Sequence, residues 1–296
     1  MAEEQKTKLL FVINPGSGKN NTDWGTEIST YFKDKPAGIE LVQLDDACSA
    51  EPVKRAVEAS RPDRIIAVGG DGTVKLVAEI SRKMKIPLGI IPTGSANGMA
   101  KELGIPTSVN EALELALKGE INEIHLVNIN GEICIHLADI GFNALVVRKF
   151  ETGGGRGMWG YVKAAWKVLW SHPKMDVEIQ VEGRSVRRRA AMVVIANATK
   201  YGGGALINPD GKLDDDLFEV IVVKKVSFAE IFKMMVTHSS YDPTKTEVYQ
   251  TRVLQIRSRV KAHFQVDGEY LGKIKDINAE IIPAALQVIV PEAVAN

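Results

Sequence analysis

The stretch from Arg64 to Thr73, RIIAVGGDGT, holds the densest chemistry in the chain. Ile65 to Val68 form an apolar run that predicts a buried strand, and a helical pattern starts near Val74. Between them stand Gly69, Gly70, Asp71, Gly72 and Thr73. A strand, a glycine-rich turn and a helix aim backbone N–H groups and a helix N-terminus at an anion. The glycines let a phosphate approach the main chain. Asp71 is the odd member, because a carboxylate beside a phosphate is repulsive. It needs a cation between the two, or a proton to remove. Asp71 is therefore a candidate for Mg²⁺ coordination, directly or through water, and for general base work. The simpler reading of the same string is a Gly-Asp-Gly turn.

Two more loops have the same character. The run Leu9 to Ile13 reads as a buried strand and ends in Asn14-Pro15-Gly16-Ser17-Gly18-Lys19. This is not a Walker A motif, because Ile13 takes the place of the first glycine and Asn20 that of the Ser/Thr. The dinucleotide pattern fails too, with no third glycine in place. A short strand at Pro87 to Ile91 opens into Pro92-Thr93-Gly94-Ser95-Ala96-Asn97-Gly98-Met99-Ala100. Asn14, Ser17, Gly18, Lys19, Gly69, Gly70, Gly72, Thr73, Thr93, Gly94, Ser95 and Asn97 are the candidate contacts of a nucleoside triphosphate. Lys212 is a further candidate for phosphate.

The elements around these loops alternate. Helices are expected at Thr22 to Phe32, Ala50 to Ser60 and Thr73 to Met84, and a strand at Ile39 to Gln43. Ser108-Val109-Asn110-Glu111 reads as a capping box opening a helix through Leu117. Such alternation predicts an α/β domain with a doubly wound parallel sheet. Ligands bind such sheets at the carboxyl ends of the strands, where all three loops lie. After about Ile124 helical periods become rare and short strands recur. They are read at Ile133 to Leu137, Asp176 to Val181, Ser185 to Arg189, Met192 to Ala196, Phe218 to Val223, Val248 to Ile256, His263 to Val266 and Leu286 to Val290. These predict a larger, antiparallel, sandwich-like domain. The expected division is 1–124 and 125–296, with the last residues free to pack back on the first domain.

Composition excludes several classes. The 296 residues carry 37 basic and 37 acidic side chains, so bulk electrostatic binding of nucleic acid is not expected. Two cysteines, Cys48 and Cys134, make no disulfide framework and suit a reducing compartment. MAEEQKTKLLFVI reads as a first strand, too short for a signal peptide. No apolar run approaches the roughly 18 residues of a membrane span. The expected location is cytoplasmic, in solution or on a membrane surface.

NPGSG, GGDGT and PTGSANGMA, in this order and spacing, resemble the catalytic domain of the diacylglycerol kinase and sphingosine kinase family of lipid kinases. GGDGT alone is shared with NAD kinases. The resemblance departs from the family pattern at Lys75 and Leu76, where Asn or His with Glu is usual, and at Gly98, where Asp is frequent. A lost carboxylate there points to altered metal handling or lower activity. The second half continues the resemblance. Asp139-Ile140-Gly141-Phe142-Asn143-Ala144 is similar to the family's Gly-Ile-Gly-Phe-Asp-Ala, with Asn143 in place of Asp. Asn197 with Tyr201-Gly202-Gly203-Gly204 resembles a further family element. Leu213 to Val220 resembles its acidic loop, and implies Mg²⁺ at Asp214 and Asp215; a solvated loop is the plain alternative. Val266-Asp267-Gly268-Glu269 is a hairpin-tip signal. In the family it returns two carboxylates to the active site, which the resemblance places in the cleft between domains. Asp71 and Asp267 are the two candidates for the base, with Glu269 beside them.

Arg156 to Trp170 has Trp159, Tyr161, Val162, Trp166, Leu169 and Trp170 at helical spacing. It reads as a helix packed on the sheet, or as a rim that admits a lipid and touches the bilayer. Arg184, Arg187, Arg188 and Arg189 read as a solvated strand or as a contact for anionic lipid. The resemblance implies an ATP- and Mg²⁺-dependent lipid kinase, with ATP and a membrane lipid such as diacylglycerol or a sphingoid lipid as partners; a homodimer is compatible. The alternatives are a kinase of a soluble nucleotide such as NAD, and an inactive nucleotide-binding regulator.

Overall fold

Continuous apolar runs become the inner strands of the first unit. The computed structural model describes residues 6–17, 22–45, 48–152, 174–200, 206–226 and 242–292. The chain divides into two units, Met1–Ile124 with Ala284–Asn296, and His125–Pro283. In the first, the order is β1 (Thr7–Ile13), α1 (Trp24–Phe32), β2 (Ala37–Gln43), α2 (Glu51–Ser60), β3 (Arg64–Gly69), α3 (Asp71–Met84), β4 (Leu88–Pro92), α4 (Gly98–Glu102) and α5 (Val109–Lys118). The strands lie β2-β1-β3-β4, all parallel, with Ile13 beside Val68 and Val68 beside Ile91. Near the chain's end, Val288 adds a parallel pairing to Leu88. Leu9, Phe11, Ile13, Ile66, Val68 and Ile91 pack with Ile28, Phe32 and Leu113 in one core. Each such side chain contributes about 1.5–3 kcal/mol through burial.

Local chemistry sets the helix ends. Asp23 caps α1 by accepting the Thr26 N–H at 3.2 Å. Pro52 opens α2, where its missing N–H costs no hydrogen bond. Gly70 is the N-cap of α3, so the first N–H groups of that helix receive no side-chain cap. Arg82 and Lys83 in its last turn complement the helix dipole. The capping box expected at Ser108 is not formed: Ser108 is the N-cap residue of α5, but its side chain makes no capping hydrogen bond.

The second unit is antiparallel. It holds β5 (Glu120–Ile129), β6 (Glu132–Cys134), β7 (Leu137–Gly141), α6 (Phe142–Thr152), β8 (Met175–Val181), β9 (Arg184–Ala190), β10 (Met192–Ala196), β11 (Phe218–Val223), β12 (Thr246–Thr251), β13 (Val253–Val266) and β14 (Glu269–Val290). β5 and β14 each run across a unit boundary. The path is β12-β11-β10-β7-β13-β14, and β8 joins β13 and β9. β13 therefore serves two neighbours on one side. Leu254 to Ser258 pair with β8, and Phe264 to Val266 pair with β7. A register shift between Arg257 and Ala262 separates the halves. Inward residues such as Val177, Ile179, Val193, Phe218, Ile256 and Ile277 form the core.

Three expectations for this half are revised. The strand read at 133–137 is two strands, with a break at 135–136. α6 was not expected, because β7 before it is buried along its whole length and shows no alternation to mark the change. The segments read at 248–256 and 263–266 become β12 and one long β13, which a bulge interrupts without ending. The aromatic stretch 156–170 and the Tyr201-Gly204 element lie outside the described residues.

Candidate active site

The three polar loops of the first unit are tied together by short-range geometry. Asn14, at the end of β1, donates its backbone N–H to Val68 O at 3.0 Å. Its side-chain amide donates to Thr73 Oγ1 at 3.0 Å, and its Oδ1 accepts the Gly16 N–H at 3.0 Å. Ser17 Oγ and Thr93 Oγ1 are hydrogen-bonded, which joins the first loop to the third. The Thr93 N–H donates to Gly69 O at 3.0 Å. Gly70 and Gly94 meet backbone to backbone: a Cβ on Gly94 would lie 2.6 Å from Gly70 Cα. No larger residue fits that approach. Gly18 and Lys19 lie outside the described residues.

Asp71 is the first residue of α3 and is half-buried. Its Oδ1 accepts the Met99 N–H at 3.2 Å, and its Oδ2 has no partner among the described residues. The Met99 contact was not legible in the sequence, since a backbone donor leaves no residue-type signal. Asn97 adopts φ +50° and donates its amide to Gly94 O at 2.8 Å. Its Oδ1 is buried with no hydrogen-bond partner among the described residues. An orphaned acceptor suits a ligand that brings a hydroxyl or amino donor, and ATP brings both. The first N–H groups of α3, which lack intrahelical acceptors, suit its phosphates. The residues present therefore fit ATP.

In the second unit the Asp267 carboxylate is fully engaged. Oδ2 accepts the Ile135 N–H at 3.0 Å, and Oδ1 accepts the His136 and Leu137 N–H groups at 2.9 and 3.2 Å. Cys134 Sγ is 3.6 Å from Oδ1. Asp267 and Gly268 have φ of +51° and +85°, and Val266 pairs with Glu269 across them. That is the two-residue hairpin turn with positive φ at both centres. Glu269 is exposed.

Asp214 is exposed, Asp215 is half-buried, and Asp215 Oδ1 accepts the Leu217 N–H at 3.3 Å. Asp216 pairs instead with Arg252. Among the described residues no group of three or more His, Cys, Asp and Glu is placed to hold a metal. Mg²⁺ does not require one, since it keeps several waters and takes one or two carboxylates with phosphate oxygens. Asp214 and Asp215 are two adjacent carboxylates, and one oxygen of Asp215 is already bonded to the Leu217 N–H. Sequence reasoning missed Asp139 and Gln265, which are wholly buried beside the Asp267 turn. The one available signal was a carboxylate inside the otherwise apolar run LADIG.

Residues 8–129 match the family model described as the diacylglycerol kinase catalytic domain. Residues 138–290 match the model described as the YegS C-terminal NAD kinase beta sandwich-like domain. The diacylglycerol kinase of Staphylococcus saprophyticus is 28% identical over a 306-residue alignment that covers 98% of each chain. That of Staphylococcus aureus is 29% identical over 285 residues, covering 91% of this chain and 88% of its own. A solved diacylglycerol kinase structure from Bacillus anthracis superposes with a TM-score of 0.73 at 20% identity, covering 99% of this chain and 100% of that one. Yeast NADH kinase complexed with NADH gives 0.55 at 11% identity, with coverage of 98% and 85%. At these identities the structural likeness is one of fold. Among the described residues no helix is long and apolar enough to cross a membrane.

Proposed function

From the premise that the chain belongs to the diacylglycerol kinase family of phosphotransferases, we propose that it transfers the γ-phosphate of ATP to a hydroxyl of a membrane lipid, of the diacylglycerol or sphingoid class. The observation that carries this reading is the joining of three loops at the carboxyl ends of β1, β3 and β4, through Asn14–Thr73, Ser17–Thr93 and the Gly70–Gly94 approach. A glycine-lined junction at the start of a helix is a setting in which backbone N–H groups hold phosphate.

Phosphoryl transfer depends mainly on positioning and charge stabilisation. Asn14 and Thr73 hold the first and second loops together, and Ser17 and Thr93 the first and third. Asp71 takes the proton of the attacking hydroxyl through Oδ2, the oxygen left without a partner among the described residues, while the Met99 N–H fixes Oδ1. A positioned base of this kind is worth about 10²–10⁴ in rate. Bound Mg²⁺ supplies neutralisation of charge on the phosphate oxygens. Asp214 and Asp215 are the carboxylates that would hold a cation at the acidic loop. The acceptor lipid places the reaction at a bilayer surface, with the chain peripheral to the cytoplasmic face.

The test is transfer of label from γ-labelled ATP to a panel of acceptors in mixed micelles. The panel includes diacylglycerol, a sphingoid base, ceramide, phosphatidylglycerol and, as the soluble rival, NAD. Label in one lipid class, dependent on Mg²⁺ and lost in Asp71→Asn, is the expected result. Label in NAD alone would move the acceptor to a soluble nucleotide. ATP binding with no transfer to any acceptor would make the chain a regulator.

A further inference from the structure

Asp139 is a carboxylate with no exposure to solvent, in the middle of β7. Burying an ionised carboxylate costs several kcal/mol unless hydrogen bonds compensate. Here two side-chain amides serve one of its oxygens, Oδ2. Asn143 Nδ2 and Gln265 Nε2 each donate to Asp139 Oδ2 at 2.5 Å. Asn143 stands where the resembled motif has Asp, and Asp139 stands where it has Gly. The chain's two departures from that motif thus meet in a single hydrogen bond, as a carboxylate and an amide four residues apart.

Gln265 carries the connection onward. It lies directly opposite Asp139 in the β13–β7 register. With its NH₂ committed to Asp139, its Oε1 accepts the Gly268 N–H at 2.7 Å. Gly268 is the second central residue of the Asp267 turn. Asp267 in turn accepts the N–H groups of Ile135, His136 and Leu137, which lead into β7. Its own N–H donates to Leu137 O at 2.9 Å. The path closes on itself, from Asp139 to Gln265, to the turn, to residues 135–137, and back along β7 to Asp139.

We propose that Asp139 and Gln265 are positioning residues that lock the Asp267–Glu269 turn, and that Asp267 is the anchor of this circuit and not the proton acceptor. Asp139 fixes which way the Gln265 amide faces, and that orientation supplies the acceptor for Gly268. The Asp267 carboxylate then has both oxygens taken by main-chain donors. The kinetic half of this proposal rests on the phosphotransfer reading above; the structural half stands apart from it.

The experiment uses the full-length chain as wild type, Asp139→Asn, Gln265→Glu and the double variant. Hydrogen exchange is followed by mass spectrometry over residues 134–138 and 266–269. kcat and KM for ATP are measured with whichever acceptor the wild type uses. Asp139→Asn leaves three amides facing one another, and Gln265→Glu sets two carboxylates together. Each single variant is expected to speed exchange at 135–137 and to lower kcat about ten-fold or more, with KM for ATP little changed, because the turn moves and the nucleotide loops do not. The double variant exchanges the carboxylate and the amide between the two strands and is expected to recover both readouts. Unchanged exchange at 135–137 in Asp139→Asn, or a double variant no better than the worse single one, overturns the proposal. If a single variant fails to fold, recovery of a cooperative melt and of native exchange in the double variant supports the circuit, and its failure overturns it. A wild type that labels no acceptor defeats the phosphotransfer reading alone, and the exchange data still decide the circuit.

Discussion

Replacing Gly94 by Ala tests the nucleotide cradle at its tightest point. The added Cβ would sit 2.6 Å from Gly70 Cα and 2.8 Å from Asn97 Oδ1. Carbon atoms rest at about 3.5–4.0 Å, so the loops must part by about 1 Å. Neither obstacle swings away easily, since Gly70 is main chain at the start of α3 and the Asn97 amide is bonded to Gly94 O. A misplacement of about 1 Å in a site that works by positioning costs roughly a hundredfold in rate, or about 2.7 kcal/mol in transition-state stabilisation. The assay is kcat/KM for ATP by phosphate transfer, beside an equilibrium measurement of ATP affinity. Gly38→Ala is the control, because its Cβ would meet only Lys8 Cγ at 4.0 Å. Its effect on stability should stay within about 0.5 kcal/mol. A Gly94→Ala protein with both kcat/KM and ATP affinity within about threefold of wild type would refute the reasoning.

Asp71→Asn keeps an acceptor for the Met99 N–H but cannot take a proton; it should lower kcat by about 10²–10⁴ with ATP affinity retained, as single-turnover and binding assays would show. Chelation of Mg²⁺ should abolish transfer, and Asp215→Asn should raise the Mg²⁺ concentration needed for half-maximal activity about ten-fold, read by titrating the metal back. Glu247 is held at about 2 by Lys224 first, with Arg188 and Tyr249 adding to it. The folded value lies below the ordinary 4.5, so its contribution is full above that value and fades as pH falls from about 4.5 to about 2. The side chain is 27% exposed, which screens the pair, so Glu247→Gln should cost about 1 kcal/mol at neutral pH and almost nothing below pH 2. Urea unfolding at a series of pH values measures that difference.

Much of the first unit was legible because a parallel sheet covered on both faces writes each strand as an unbroken apolar run. β1, β3 and β4 are such runs, and each loop after them announces itself by glycine and small polar residues. The second unit hid more. β7 is buried throughout and looks like any short apolar segment, so α6 after it had no visible start. β13 and β14 are long strands with bulges, at Arg257 to Ala262 and again near Gly272, and these break the alternation that marks a strand. The contacts that decide roles were the least legible. Nothing in DGE announces that Asp267 would be taken up by the N–H groups of residues 135–137, and nothing in LADIG points to Gln265 more than a hundred residues away. Pairings of that kind come from register, which a single sequence does not encode locally.

The most direct test of the cradle is the response of backbone amides to ATP with Mg²⁺, followed by nuclear magnetic resonance in the full-length chain. The largest shifts should fall on residues 14–17, 69–73 and 93–97, with the Asn97 side-chain amide moving as its buried Oδ1 gains a donor. Saturable ATP binding that leaves those amides in place, and moves others, would contradict the assignment of the three loops as the nucleotide site.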